Sequence, residues 1–315
     1  MAVTGFTRKA MRFGLANAQA AKEIGDILDY IDGVGNRWHV DSGAGADTND
    51  GKAPDRAFAT LDYAIGKATA NNGDVIYVLP GHAETITADS GVDIDVAGLS
   101  IIGLGHGSAR PTFTFTTSVA ADFKLAAANT VVKNILFVGG IAATTGVVEI
   151  SAADCALINT EYRDSTGQAT DVIITTADAD RLVIDGHVHN GAAADGPDTA
   201  IVVVGCDDVT IKNSVFYGNF DLGAIQCRTT AAVRLRVHDI QVWTEGAEDL
   251  AILDTVTGST GIMGPNIFMI LQDDAGNVTE AITGATFYVM DHGVHVNNAA
   301  NQRSLAINWT QVADS

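Results

Sequence analysis

The chain has 315 residues, 47% hydrophobic and only 18% charged, a composition that excludes a mainly disordered polymer. Eighteen basic residues against 38 acidic ones give a formal net charge of -20, which argues against nucleic-acid and anionic-membrane partners. With 33 glycines, 5 prolines and 6% aromatics, the core must be built from Val, Ile, Leu and Ala joined by many tight turns.

In chain order, residues 1–36 form the first zone. Arg8, Lys9 and Arg12 stand beside Phe6 and Phe13, with no acidic residue before Glu23. Leu15, Ala18, Ala21, Ile24, Ile27, Leu28 and Ile31 recur at helical spacing, predicting an amphipathic helix that stops at Gly33 and Gly35. Asn17, Gln19, Lys22, Glu23 and Asp26 interrupt any secretory apolar core. A basic arm on an acidic body fits contact with another subunit or an acidic partner through Phe6, Arg8, Lys9, Arg12, Phe13, Ile24, Ile27 and Leu28. A helix folded back on the body is the plainer alternative.

Residues 37–91 read as a cap and first coil. Asp41, Asp47, Asn49, Asp50 and Gly51 crowd a turn segment whose glycine falls one place early for a calcium loop, so self-bonding Asx turns are expected there. Phe58, Leu61, Ala64, Ile65 and Ala68 predict a capping helix over 58–70, and Asp74 to Gly81 a strand closed by a Pro-Gly turn.

Residues 92–270 repeat. An apolar residue is followed two places later by a turn former and five places later by a bulkier residue. The sets are Val132/Asn134/Phe137, Leu157/Asn159/Tyr162, Ile184/Gly186/His189, Ile211/Asn213/Phe216 and Val237/Asp239/Val242. Their leads are spaced by 25, 27, 27 and 26 residues. Ile101/Gly103 fits in front, and Gly264/Asn266/Met269 fits weakly behind. Gly, Asn and Asp tolerate a left-handed backbone, so Asn134, Asn159, Gly186, Asn213, Asp239 and Asn266 predict one sharp bend per solenoid turn. Such a period with several short strands per repeat predicts a parallel β-helix. A leucine-rich repeat shares the period but needs regular leucines and a helical half that are missing. Residues 271–315 carry two further predicted strands, 285–290 and 304–309, and are expected to cap the C-terminal edge or join subunits.

The stretch Trp38-His39-Val40-Asp41-Ser42-Gly43, Asn49-Asp50-Gly51, Ala57-Phe58-Ala59-Thr60-Leu61, Gly73 to Gly81 and Glu84 resembles the opening of pectate-lyase-like right-handed β-helix proteins. Leu61-Asp62-Tyr63-Ala64-Ile65-Gly66 and Asn71-Asn72-Gly73-Asp74 resemble the tailed-phage virion version of that opening. The resemblance implies an all-β, right-handed parallel β-helix with an N-terminal helical arm, a capping helix and a small C-terminal β region. Its members include lyases, hydrolases, tailspikes and non-catalytic virion proteins, so it does not choose a function.

Catalysis would need clustered carboxylates on one face, with calcium and a base for a lyase, or two acids roughly 5–9 Å apart for a glycosidase. Asp154, Asp180 and Asp208, with Asn129 one coil earlier, form a possible acidic turn ladder. Asp185 with Asp207 or Asp208, and Asp195 with Asp198, are nominal acid pairs. His187 and His189 share a strand face without a third ligand of suitable spacing, and His292 and His295 are weaker still. Cys155, Cys206 and Cys227 read as buried free thiols. Trp38, Trp243 and Trp309 are far apart in sequence, which counts against a sugar groove, while Phe137, Tyr162 and Phe216 read as an interior stack. No catalytic, metal or cofactor site is therefore expected. The expectation is a capsid decoration or cement protein, made in the host cytoplasm, forming a homotrimer and binding a major capsid protein. A tailspike or polysaccharide depolymerase is the alternative.

Overall fold

The computed structural model describes residues 35–164, 171–191, 196–244, 252–271, 287–290, 292–298 and 301–306. The contact residues expected in the arm, Phe6 through Leu28, lie outside them. Among the described residues the chain passes in turn through three sheets. The first runs from Arg37–Val40 and Val75–Val78 to Gly261–Met263 and Phe287–Val289. The second runs from Ala83–Ile86 to His292–Asn298 and Asn301–Ala306, and the third from Val92–Ile94 to Ile252–Asp254. Strand neighbours are parallel except the last pair of the second sheet, and parallel crossovers wind right-handedly. The molecule is a right-handed parallel β-helix.

The repeat sets are the register of this solenoid. Ile101, Val132, Leu157, Ile184, Ile211 and Val237 are successive partners in the first sheet, all with 0% exposure. Five places after the leads from Val132 to Val237, Phe137, Tyr162, His189, Phe216 and Val242 are partners in the second sheet, continued by Met269, and all are buried. Alternation sends these side chains inward, where Phe123 of the third sheet meets Phe113 and Phe137 edge-on at 5.4 and 5.2 Å. Each fully buried ring stabilises the fold by about 1.5–3 kcal/mol.

Two details of the repeat differ from expectation. Val237 pairs with Met263, so Met263 leads the last set and one additional residue separates it from Asn266. Gly103 is absent from the left-handed positions; a Cβ there would stand 2.3 Å from the Asn134 carbonyl oxygen, so close packing of the next coil demands glycine. The capping helix is also short, Leu61–Ile65, and buries Leu61, Ala64 and Ile65 against the first coil.

The opening motif is cap chemistry. Asp74 is 1% exposed and accepts hydrogen bonds from the backbone N–H of Asn36 and Thr69 at 2.6 and 2.8 Å and from the Asn72 amide at 2.7 Å. Burial pulls its pKa up, but these donors outweigh burial and hold it below the ordinary carboxylate value. Asp41 accepts from Gly43 and Asp50 from Lys52, two places on, as Asx turns do, whereas Asp47 reaches out of the turn segment to the N–H groups of Ala59 and Thr60. At the other end, coiling continues past residue 270 through Phe287–Val289 and His292–Asn298, and antiparallel Asn301–Ala306 follows.

Candidate functional site

The corner between the first and second sheets carries the predicted turn residues. Asn134, Asn159, Gly186, Asn213, Asp239 and Asn266 have φ of 56, 50, 71, 51, 53 and 59°. Their side chains also link coils: Asn213 Nδ2 donates to Asp185 Oδ1 at 2.8 Å and Asn266 Nδ2 to Asp239 Oδ1 at 2.7 Å. These residues build the bend.

The corner before the first sheet holds a second left-handed ladder. Its members are Asn129, Asp154, Arg181, Asp208 and Arg234, with φ of 59, 59, 58, 59 and 62°. Arginine thus takes two positions, and Asp180 stands beside the ladder rather than in it. Arg181 holds Asp154, and Arg234 holds Asp208 at 2.6 Å and Asp207 at 3.3 Å. The acidic stack expected from sequence is an alternation of charge.

Asp185, Asp207 and Asp208 of the nominal acid pairs are held by basic partners in the same way. Asp185 meets Asn213 and, at 3.3 Å, Lys212; these contacts hold its pKa low against burial. Asp208 is held low first by its hydrogen bonds from Arg234. Neither carboxyl keeps a proton to donate at neutral pH, as the acid of a glycosidase pair must. Asp195 lies outside the described residues, and its nominal partner Asp198 is pushed up, first by burial and then by Asp221 and Asp171, against the pull of Arg228. Burial pushes Asp122 up to about 6, but it is 6% exposed and binds the Ser90 N–H at 2.5 Å, leaving little access for a polymer.

His187 and His189, expected at the surface or partly buried, are both fully buried. His187 Nδ1 contacts Thr160 Oγ1 at 2.9 Å; its Nε2 and both His189 nitrogens have no partner. The His189 ring stacks 5.2 Å from Tyr162 and 5.0 Å from Phe220, replacing an aromatic residue in the interior column. Burial pushes His187 down to about 3 and His189 well below its ordinary value, so both are neutral. Among the described residues no group of three His, Cys, Asp or Glu is placed to hold a metal. The side chains of His292 and His295, and all of Trp309, lie outside the described residues. Cys155, Cys206 and Cys227 are buried and free.

What stands out is the outer face of the second sheet. In its early coils this face carries Thr112, Thr114 and Leu136, then Glu161 and Arg163, with Arg110 bound to Glu161 at 2.7 Å. From Val188 to Ile270 its outward residues are Val188, Asn190, Val215, Tyr217, Gln241, Trp243, Phe268 and Ile270. None is charged. Val188 and Val215 are each 38% exposed, Trp243 45% and Phe268 63%. Tyr217 and Trp243, on adjacent coils, meet edge-on with centroids 6.0 Å apart. Around the corner, Ile262 and Tyr288 of the first sheet are exposed beside a shallow groove of about 260 Å³ that includes Arg236. The face from Val188 to Ile270 is the described part of the second sheet where large apolar side chains stand exposed on consecutive coils.

Sequence reasoning missed this face, although the same repeat holds it. Four and six places after the leads Ile184, Ile211 and Val237 are outward positions without charge, and the extra residue after Met263 moves them to Phe268 and Ile270. The separation of the tryptophans in sequence hid that Tyr217 and Trp243 are one coil apart.

No family model matches the chain, and no curated protein matches it. Similar solved structures include one described as a rhamnogalacturonan lyase, with a TM-score of 0.47 and 13% identity over 87% of this chain and 90% of that one. Another is Geobacillus virus E2 ORF18, with a TM-score of 0.31 and 12% identity over 91% of this chain and 65% of that one. Neither likeness assigns an activity.

Proposed function

We propose that the chain is a non-enzymatic structural protein of a tailed-phage virion, a capsid decoration or cement subunit. In this reading the basic arm grips the major capsid protein, and the stiff solenoid supplies contacts between subunits. The observation that supports it most is the uncharged face from Val188 to Ile270, with Trp243 and Phe268 exposed on it, on a chain of net charge -20. The candidate acids Asp185, Asp207 and Asp208, by contrast, are tied to basic partners. The resemblance of the cap to phage virion proteins supplies the setting.

The exposed Tyr217–Trp243 pair favours a second reading, a tail protein that stacks a neutral host glycan. Copy number in purified virions, by quantitative mass spectrometry against the major capsid protein, separates the two. Copies comparable with the shell protein support decoration. A few copies per particle move the protein to the tail, and absence from virions overturns both readings.

A further inference from the structure

We propose that the uncharged outer face of the second sheet is where copies of this chain pack against one another. The proposal rests on the structural reading above and names the partner of that face. The strip runs from Val188 to Phe268 over four coils, about 14 Å from first strand to last at the usual strand spacing. Val215, Trp243 and Phe268 stand exposed on it.

Charge selects the occupant. A cationic partner is best met by carboxylates, and this chain has 38 acidic residues to offer. A partner of the same sign is repelled by every such carboxylate. A face from which all charge has been removed, on a body of net charge -20, therefore suits an equally acidic neighbour. A second copy is that neighbour, and side-by-side copies bring the two neutral strips together around a common axis. Apolar burial drives the contact while long-range charge opposes it, so added salt strengthens the assembly.

The test uses the full chain, by light scattering behind size exclusion across a concentration series at low and high NaCl. The expected mass is a multiple of 32.7 kDa, with dissociation suppressed by salt. Trp243→Glu and Phe268→Glu each shift the protein to monomer with an unchanged β-sheet circular dichroism spectrum. Val119→Glu, at a remote position 54% exposed, leaves the assembly intact. If the charged variants misfold, Gln241→Cys supplies the second readout: its thiol is protected from a maleimide reagent in the assembly and becomes reactive on dilution to monomer. A wild-type chain that is monomeric throughout, or an assembly leaving the Gln241→Cys thiol reactive, overturns the proposal. Virion copy number is independent of this outcome, so failure of the contact face and failure of the structural reading are told apart.

Discussion

Arg181 reaches across one coil and grips Asp154 with two hydrogen bonds, Nε to Oδ1 at 2.6 Å and Nη2 to Oδ2 at 2.7 Å. Arg234 repeats the grip on Asp208 at 2.8 and 2.6 Å. A run of like charges along the solenoid would repel itself, whereas the two arginines offset part of the charge of Asp154, Asp207 and Asp208 at this corner. The pairs are exposed, so salt screens them.

The double variant Arg181→Gln with Arg234→Gln leaves Asp154, Asp207 and Asp208 without their cations. Its Tm is expected to fall below wild type at low ionic strength and to recover most of the difference in about 1 M NaCl, where the Debye length is near 3 Å. Thermal melts followed by circular dichroism at both salts check this. A loss independent of salt would mean that the arginines act through packing.

The bend ladder predicts a ranking. Asn213 has a φ of 51° and its amide donates to Asp185, so Asn213→Ala is expected to cost about 1–2 kcal/mol. Asn213→Gly keeps the angle and loses only the amide bond, and is milder. Gly186→Ala takes a φ of 71° with its Cβ 2.5 Å from the movable end of the Asn159 side chain, and is expected to cost about as much as Asn213→Ala. Denaturant melts of the three variants test the order.

Acid should weaken the fold through the buried histidines. Burial holds His187 at about 3 and His189 well below its ordinary value, so the unfolded chain binds protons that the folded chain refuses. Their contribution is complete above about pH 6.5 and is lost as pH falls toward 3, at up to about 1.4 kcal/mol per unit for each ring. His189→Phe, in contact with Tyr162 and Phe220, is expected to flatten the slope between about pH 6 and pH 4. Asp122 runs the other way. Burial raises it to about 6, so its stabilising protonation is lost as pH rises through that value, and Asp122→Asn should stabilise the protein at neutral pH but not near pH 4.

Asp74 tests the cap. Asp74→Ala strands the N–H groups of Asn36 and Thr69 and the Asn72 amide, and is expected to cost about 3 kcal/mol or more. Asp74→Asn keeps acceptor oxygen but loses the charge that these donors favour, and falls between. Limited proteolysis should show cleavage near the first coil before the later coils open.

The sequence by itself determined the coil: its period, its inward columns and its bends. Inward residues alternate along a strand, and a left-handed bend favours Asn, Asp or Gly, so both are written locally at Ile184, Gly186 and His189 and again one period later. The extra residue after Met263 escaped because one insertion shifts every later offset by one. Only the tertiary structure decided which side chains meet between coils. Arg181 rather than Asp180 takes the left-handed corner, and Arg234 reaches Asp207 and Asp208, because register brings residues about a coil apart to within one strand spacing. The same stacking buried His187 and His189 and gathered Tyr217, Trp243 and Phe268 on one neutral face. Periodicity says which way a side chain points; what it touches depends on the neighbouring coil.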